Sequence, residues 1–155
     1  MRKLNHPNIT HLHQVFESDT HIYMILDYAK GGSLYEKIIK KQTLPETSVL
    51  KFCRELLKVL KYLNSKKIVH RDIKLENILL DSQDDNLDFK LADFGLATKI
   101  TGELTLRCGS PGYIAPEILR KEKYGYKVDI FGAGVIYILY LQGKCHFLGI
   151  FKKKC

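Results

Sequence analysis

His70-Arg71-Asp72-Ile73-Lys74-Leu75-Glu76-Asn77, followed 21 residues after Asp72 by Asp93-Phe94-Gly95, is the stretch on which the reading of this chain turns. Either piece alone is unremarkable, since a His-Arg-Asp triplet arises by chance and Asp-Phe-Gly makes a serviceable turn. Their order and spacing are less ordinary. A third run, Gly109-Ser110-Pro111-Gly112-Tyr113-Ile114-Ala115-Pro116-Glu117, ends 24 residues beyond Asp93. Short extended pieces at residues 68–69, 78–80 and 89–91 flank the first two motifs, which places their polar residues in the turns between strands.

Outward from this centre the chain alternates helix and strand signals. Residues 9–16 and 22–28 read as two strands joined by Glu17-Ser18-Asp19, with His11 and His13 sharing a solvent-facing side. Lys30-Gly31-Gly32 breaks the chain, and Ser33 is placed to cap a short helix running to Lys41. Pro45-Glu46 opens a longer helix to about Asn64, in which Val49, Phe52, Cys53, Leu56, Leu57, Leu60 and Leu63 form one apolar stripe. The acidic run at residues 81–88 reads as a surface turn. Residues 93–113, rich in Gly, Thr and Ser, read as a long functional loop. Pro116 starts a short helix, and residues 128–141 form a nearly all-apolar one expected to be buried.

A chain of 155 residues with 45% hydrophobic and 27% charged positions is of a size and composition for one soluble globular domain. The net charge of +8 favours anionic ligands. No aromatic-studded basic strand or recognition helix accompanies it, so nucleic acid is not an expected partner. The longest apolar run, residues 130–141, is too short to span a bilayer, so no membrane role is expected. Cys53, Cys108, Cys145 and Cys155 show no metal-ligand spacing, and no secretory stretch precedes them. A reducing cytoplasmic location is expected, with the nucleus as the alternative.

The three motifs suit one chemistry in particular. Phosphoryl transfer asks a protein mainly for aligned oxygens and neutralised charge. Asp72 can accept or orient an attacking hydroxyl, and Lys74 can sit against the transferring group. Asn77 and Asp93 offer an amide and a carboxylate oxygen to Mg2+, a cation that prefers oxygen ligands and keeps few of them from the protein. In this order and spacing the motifs resemble the signature set of eukaryotic-type serine/threonine protein kinases. Lys74, two residues after Asp72, matches the serine/threonine pattern. The Cys108-Gly109-Ser110-Pro111-Gly112-Tyr113 run resembles calcium/calmodulin-dependent kinases.

That resemblance implies an α+β, protein-kinase-like fold: a mostly helical C-lobe with only the last strands of the N-lobe. Residues 1–28 would be the N-lobe remnant and hinge, and residues 29–155 an incomplete C-lobe, with truncation expected at both ends. It implies ATP and Mg2+ as ligands and protein substrates as partners. Leu26 would be the gatekeeper, the Asp27 carbonyl and Ala29 amide would hold adenine, and Leu79 would lie beneath it. Leu12, His70 and Phe94 would stack in a hydrophobic spine, with Phe94 packed inward and Gly95 turning the backbone. Asp129 would anchor the loop carrying Asp72. Arg71 would receive an activation-loop phosphate, and Ser110 to Glu117 would form the floor for a peptide.

Three departures accompany it. The phosphothreonine position is Leu106, leaving Thr105 one residue away or no loop phosphate at all. No glycine-rich loop, third-strand lysine or helix C glutamate occurs in the sequence. The arginine expected opposite Glu117 is missing too, so a buried Glu117 would be destabilising. The implied function is transfer of the ATP γ-phosphate to serine or threonine, weak or absent in the isolated chain. The alternative is a non-catalytic module that binds protein partners.

Overall fold

The computed structural model describes residues 1–40 and 44–141. Helix α2 (Glu46–Ser65) is its axis: Val49, Phe52, Leu56, Val59, Leu60 and Leu63 recur at three- and four-residue steps and are all buried. Each such side chain contributes roughly 2 kcal/mol by leaving water. The stripe differs from the sequence expectation at two places. Leu57 is half exposed while Val59 is fully buried.

Helix α1 (Leu34–Lys40) precedes it. Its cap is the one expected: the Glu36 N–H donates to Ser33 Oγ at 3.2 Å. The expected last residue, Lys41, lies outside the described residues. Short strands β3 (Ile68–Val69), β4 (Ile78–Leu80) and β5 (Phe89–Leu91) follow α2 where the sequence placed them. β4 and β5 pair antiparallel, and β3 pairs with β6 (Thr98–Lys99), a strand inside the loop that sequence reading left structureless. Helices α3 (Pro116–Leu119) and α4 (Lys127–Leu141) complete the body. The contents are α+β, as expected.

Helix α4 is less buried than its composition suggested. Ile136 and Leu139 are buried, but Ile130, Phe131 and Ile138 are exposed among the described residues. At Gly132 it passes close to the segment between β3 and β4. A Cβ on Gly132 would lie 2.8 Å from the Ile73 carbonyl oxygen, so only glycine admits this contact.

The start of the chain is tied to β5 by Leu91 N–H to the Asn8 carbonyl (2.8 Å) and Thr10 N–H to the Leu91 carbonyl (3.0 Å). Beyond it lie β1 (Leu12–Glu17) and β2 (Ile22–Leu26), an antiparallel hairpin shorter at both outer ends than the sequence suggested. Its register shifts between Leu12 and Gln14. This irregularity puts His13 within 2.8 Å of the Asp27 carboxylate, and the His11 and His13 rings meet edge-on at 4.8 Å. Both histidines are exposed, as expected.

Candidate active site

The loop between β3 and β4 carries His70 to Asn77, and it is shaped from beneath. Asp129, in the first turn of α4, is 3% exposed and accepts the backbone N–H groups of His70 and Arg71, each at 2.8 Å. Burial pushes its carboxyl up to about 6, against the downward pull of those two N–H groups and of the Arg71 charge. Arg71 itself has φ 68, a left-handed conformation the surrounding bonds must sustain. The anchoring role that the resemblance implied for Asp129 has direct geometric support.

His70 is wholly buried, and burial pulls its pKa below the ordinary histidine value. Its Nε2 lies 3.1 Å from the Ala92 carbonyl and its Nδ1 accepts the Asp72 N–H at 3.3 Å. These partners define a neutral ring with the proton on Nε2. The ring meets Phe94 edge-on at 4.8 Å, so these two members of the expected stack are together.

Asp72, Lys74, Asn77 and Ser110 form one bonded cluster. Asp72 Oδ1 accepts the Ser110 N–H at 3.0 Å. Its Oδ2 faces Lys74 Nζ at 2.7 Å and accepts Asn77 Nδ2 at 3.1 Å. Lys74 Nζ also donates to Ser110 Oγ at 2.8 Å, which leaves one of its three hydrogens for an anion. Burial alone would raise the Asp72 pKa, but the bonds from Lys74, Ser110 and Asn77 outweigh it and hold the carboxyl below its ordinary range. Such a carboxylate is a weak base in the ground state. Its geometry suits orienting a hydroxyl and taking the proton late in the reaction.

Asn77 spends both amide hydrogens on Asp72, at its carbonyl (2.9 Å) and its carboxylate, and so its Oδ1 is turned elsewhere. Asp93 is exposed, with φ 57, and its Oδ1 accepts the Gly95 N–H at 3.1 Å. The backbone turn therefore falls on Asp93 and not on Gly95, as the sequence had suggested. A Cβ on Gly95 would lie 3.0 Å from the Asp93 carboxylate, so a larger residue there would press on that side chain. One carboxylate and one amide oxygen fit a hard cation such as Mg2+ that completes its shell with phosphate oxygens and water. Among the described residues no group of three His, Cys, Asp or Glu side chains stands ready to hold a metal by itself.

Leu26, Asp27, Leu79 and Asp93 line a cleft of about 580 Å³, together with Phe94 and Gly95. Ala29 does not line it. Its backbone makes no hydrogen bond among the described residues and is free to take one from a ligand. The Asp27 carboxyl is held below its ordinary range by the His11 N–H, with His13 and Lys90 adding to the pull against burial. Thr105 is exposed and stands apart from the cluster, and Ser110 is inside it. Glu117 is half-buried and has no ion pair among the described residues. Glu117 is therefore not the fully buried charge that sequence reading had feared. Sequence reading missed the Ser110 bond to Asp72 and the packing of Tyr124 against Arg71, contacts between residues 38 and 53 positions apart.

Comparison with known proteins agrees with this geometry. The model of the protein kinase domain matches residues 1–154, and the chain belongs to the protein kinase family. It is 44% identical over 144 residues to the human serine/threonine-protein kinase DCLK3, covering 92% of this chain and 22% of that relative. It is 42% identical over 150 residues to the rat serine/threonine-protein kinase DCLK1, covering 96% and 35%. The calcium/calmodulin-dependent protein kinase type 1 of Macrobrachium nipponense is 37% identical over 144 residues, covering 92% and 42%. The chain thus spans between about a fifth and two fifths of the length of these curated relatives. Among the described residues no helix is long and apolar enough to cross a membrane.

Proposed function

We propose that this chain carries the catalytic loop and metal-binding carboxylate of an ATP-dependent serine/threonine protein kinase. The observation that carries the reading is the Asp72 cluster. A buried carboxylate is kept ionised by three donors, beside a lysine with a hydrogen to spare and an amide oxygen turned away from both.

In this reading the hydroxyl oxygen of a substrate serine or threonine forms a bond to the γ-phosphorus of ATP, and the bond from that phosphorus to the departing ADP oxygen breaks. Asp72 orients the hydroxyl and receives its proton. Lys74 directs its remaining hydrogen at the transferring oxygens. Asn77 and Asp93 would hold Mg2+, which when bound neutralises charge on the phosphates. Leu26 and Leu79 would flank the adenine, with the Asp27 carbonyl and Ala29 N–H as its hydrogen-bonding edge. The substrates are proteins, and the site of action is the cytoplasm or nucleus.

The test is a chimera in which residues 1–144 replace the matching segment of human DCLK3. It is expected to phosphorylate a serine peptide, with Asp72→Asn lowering kcat at least about a hundredfold. A folded chimera that transfers no phosphate contradicts the proposal. The 155-residue chain alone is expected to turn over little, because its sequence supplies no lysine or glycine-rich loop for the phosphates.

One observation favours the non-catalytic alternative: β2 is exposed along its whole length, a surface suited to a partner. A chain that binds neither nucleotide nor Mg2+ yet retains a folded kinase or substrate protein on a column would support it.

A further inference from the structure

We propose that Tyr124 latches the segment from Asp93 to Glu117 onto the catalytic loop, so that this segment is held in place without a phosphate. The Tyr124 ring is 8% exposed and packs with Val69, Ala115, Ile118 and Val128. Its backbone N–H donates to the Leu104 carbonyl at 3.0 Å. Its phenol donates to the Leu106 carbonyl at 2.6 Å and accepts Arg71 Nη1 at 3.2 Å. A phenol has one hydrogen and two lone pairs, so both bonds are made without conflict. Cys108 Sγ, 3.9 Å away, stands at the remaining lone pair. Burial raises the Tyr124 pKa and keeps the phenol a neutral donor.

Arg71 completes the latch from the other side. Its Nε donates to the Leu96 carbonyl at 2.7 Å, near the start of the segment. The guanidinium thus holds position 96 directly and position 106 through the phenol, on a loop that Asp129 already fixes, while the Tyr124 backbone holds position 104. Leu106 occupies the place where a phosphothreonine was expected, and its side chain is 63% exposed and carries no hydroxyl. A phosphate on the neighbouring Thr105 would meet an Arg71 already bonded through Nε to Leu96 and through Nη1 to Tyr124. The consequence for turnover, a kinase that needs no loop phosphorylation, rests on the function proposed above. The latch itself does not.

The experiment is brief digestion of the folded, unphosphorylated 155-residue chain with trypsin, following cleavage after Arg107 by peptide mass spectrometry. Each rate is divided by that of a synthetic peptide of the same sequence, so substitutions near the bond do not bias it. The native chain is expected to be cut at least roughly tenfold more slowly than its peptide, and equal rates would overturn the latch. Tyr124→Phe keeps the ring and removes the bridge, and is expected to raise the relative rate roughly tenfold. Adding Leu106→Glu to that variant offers Arg71 a carboxylate and is expected to restore slow cleavage, whereas Leu106→Glu alone changes little. A Tyr124→Phe chain cut as slowly as the native one, or one that Leu106→Glu does not rescue, would also overturn it. None of these readings involves nucleotide or turnover, so their failure leaves the phosphotransfer proposal standing, and the reverse holds.

Discussion

The β1–β2 hairpin and the body around α2 are both rich in apolar side chains, yet they treat them in opposite ways. Ile22, Tyr23, Met24, Ile25 and Leu26 form an unbroken apolar strand, and every one of them is exposed. The apolar residues of α2 are spaced to one side, and six of them are buried. Hydrophobicity alone therefore does not decide burial. A helical stripe meets one neighbour and hides completely, whereas a strand has two faces and needs cover on both. The hairpin is attached by polar links, among them the Asp27–Lys90 pair at 3.3 Å. The bonded cluster sits on the buried body, and the cleft lined by Leu26, Leu79 and Asp93, the proposed nucleotide site, lies where the two regions meet.

That contrast is open to breaking by substitution. Phe52→Ala removes a side chain that is 1% exposed and edge-on to Phe89 at 4.9 Å. It is expected to cost about 4 kcal/mol in denaturant unfolding. Asp129→Ala leaves the His70 and Arg71 N–H groups buried without acceptors and is expected to cost about 3 kcal/mol. In the chimera it should also lower kcat, since the loop holding Asp72 loses its anchor. Lys37→Met should cost about 2 kcal/mol, because this 3% exposed ammonium donates to the Gln83 and Asp84 carbonyls and faces Asp85 at 3.5 Å.

The Asp129 carboxyl titrates at about 6 in the fold and at about 3.9 when unfolded. Its folded value is the higher, so ionising it costs stability. That cost is fully present above about pH 6 and is relieved as the pH falls toward about 4. Carboxyl-carbon NMR should show the elevated titration, and Asp129→Asn should remove this part of the pH dependence. The smallest effect belongs to the hairpin. Ile22→Thr, at a site 67% exposed, should change stability by less than about 0.5 kcal/mol while improving solubility. A loss as large as that of Phe52→Ala would mean the hairpin is covered after all.

Much of the fold was legible in the sequence because its cues are local. The strands at residues 68–69, 78–80 and 89–91, the Ser33 cap and the start of α2 follow from periodicity and turn chemistry. That Asp72, Lys74 and Asn77 belong to one candidate site was legible from order and spacing. What escaped joins distant parts of the chain. Nothing in the sequence marked Lys37 as buried, because its partners lie 46 and 47 positions away. Tyr124 stood beside the basic run 120–123 with nothing to mark it as a partner of Arg71. The turn at Asp93 was assigned to Gly95 because glycine is the usual bearer of a positive φ. Here the carboxylate bond to the Gly95 N–H holds the conformation instead.

Asp93 and Asn77 are proposed to present oxygens to a metal-bound nucleotide, and the decisive measurement is equilibrium binding of ATP with and without Mg2+. The native chain is expected to bind ATP roughly tenfold more tightly when Mg2+ is present, with Asp93→Asn losing that gain while remaining folded. Binding that is indifferent to Mg2+, or a gain that survives Asp93→Asn, would contradict the account.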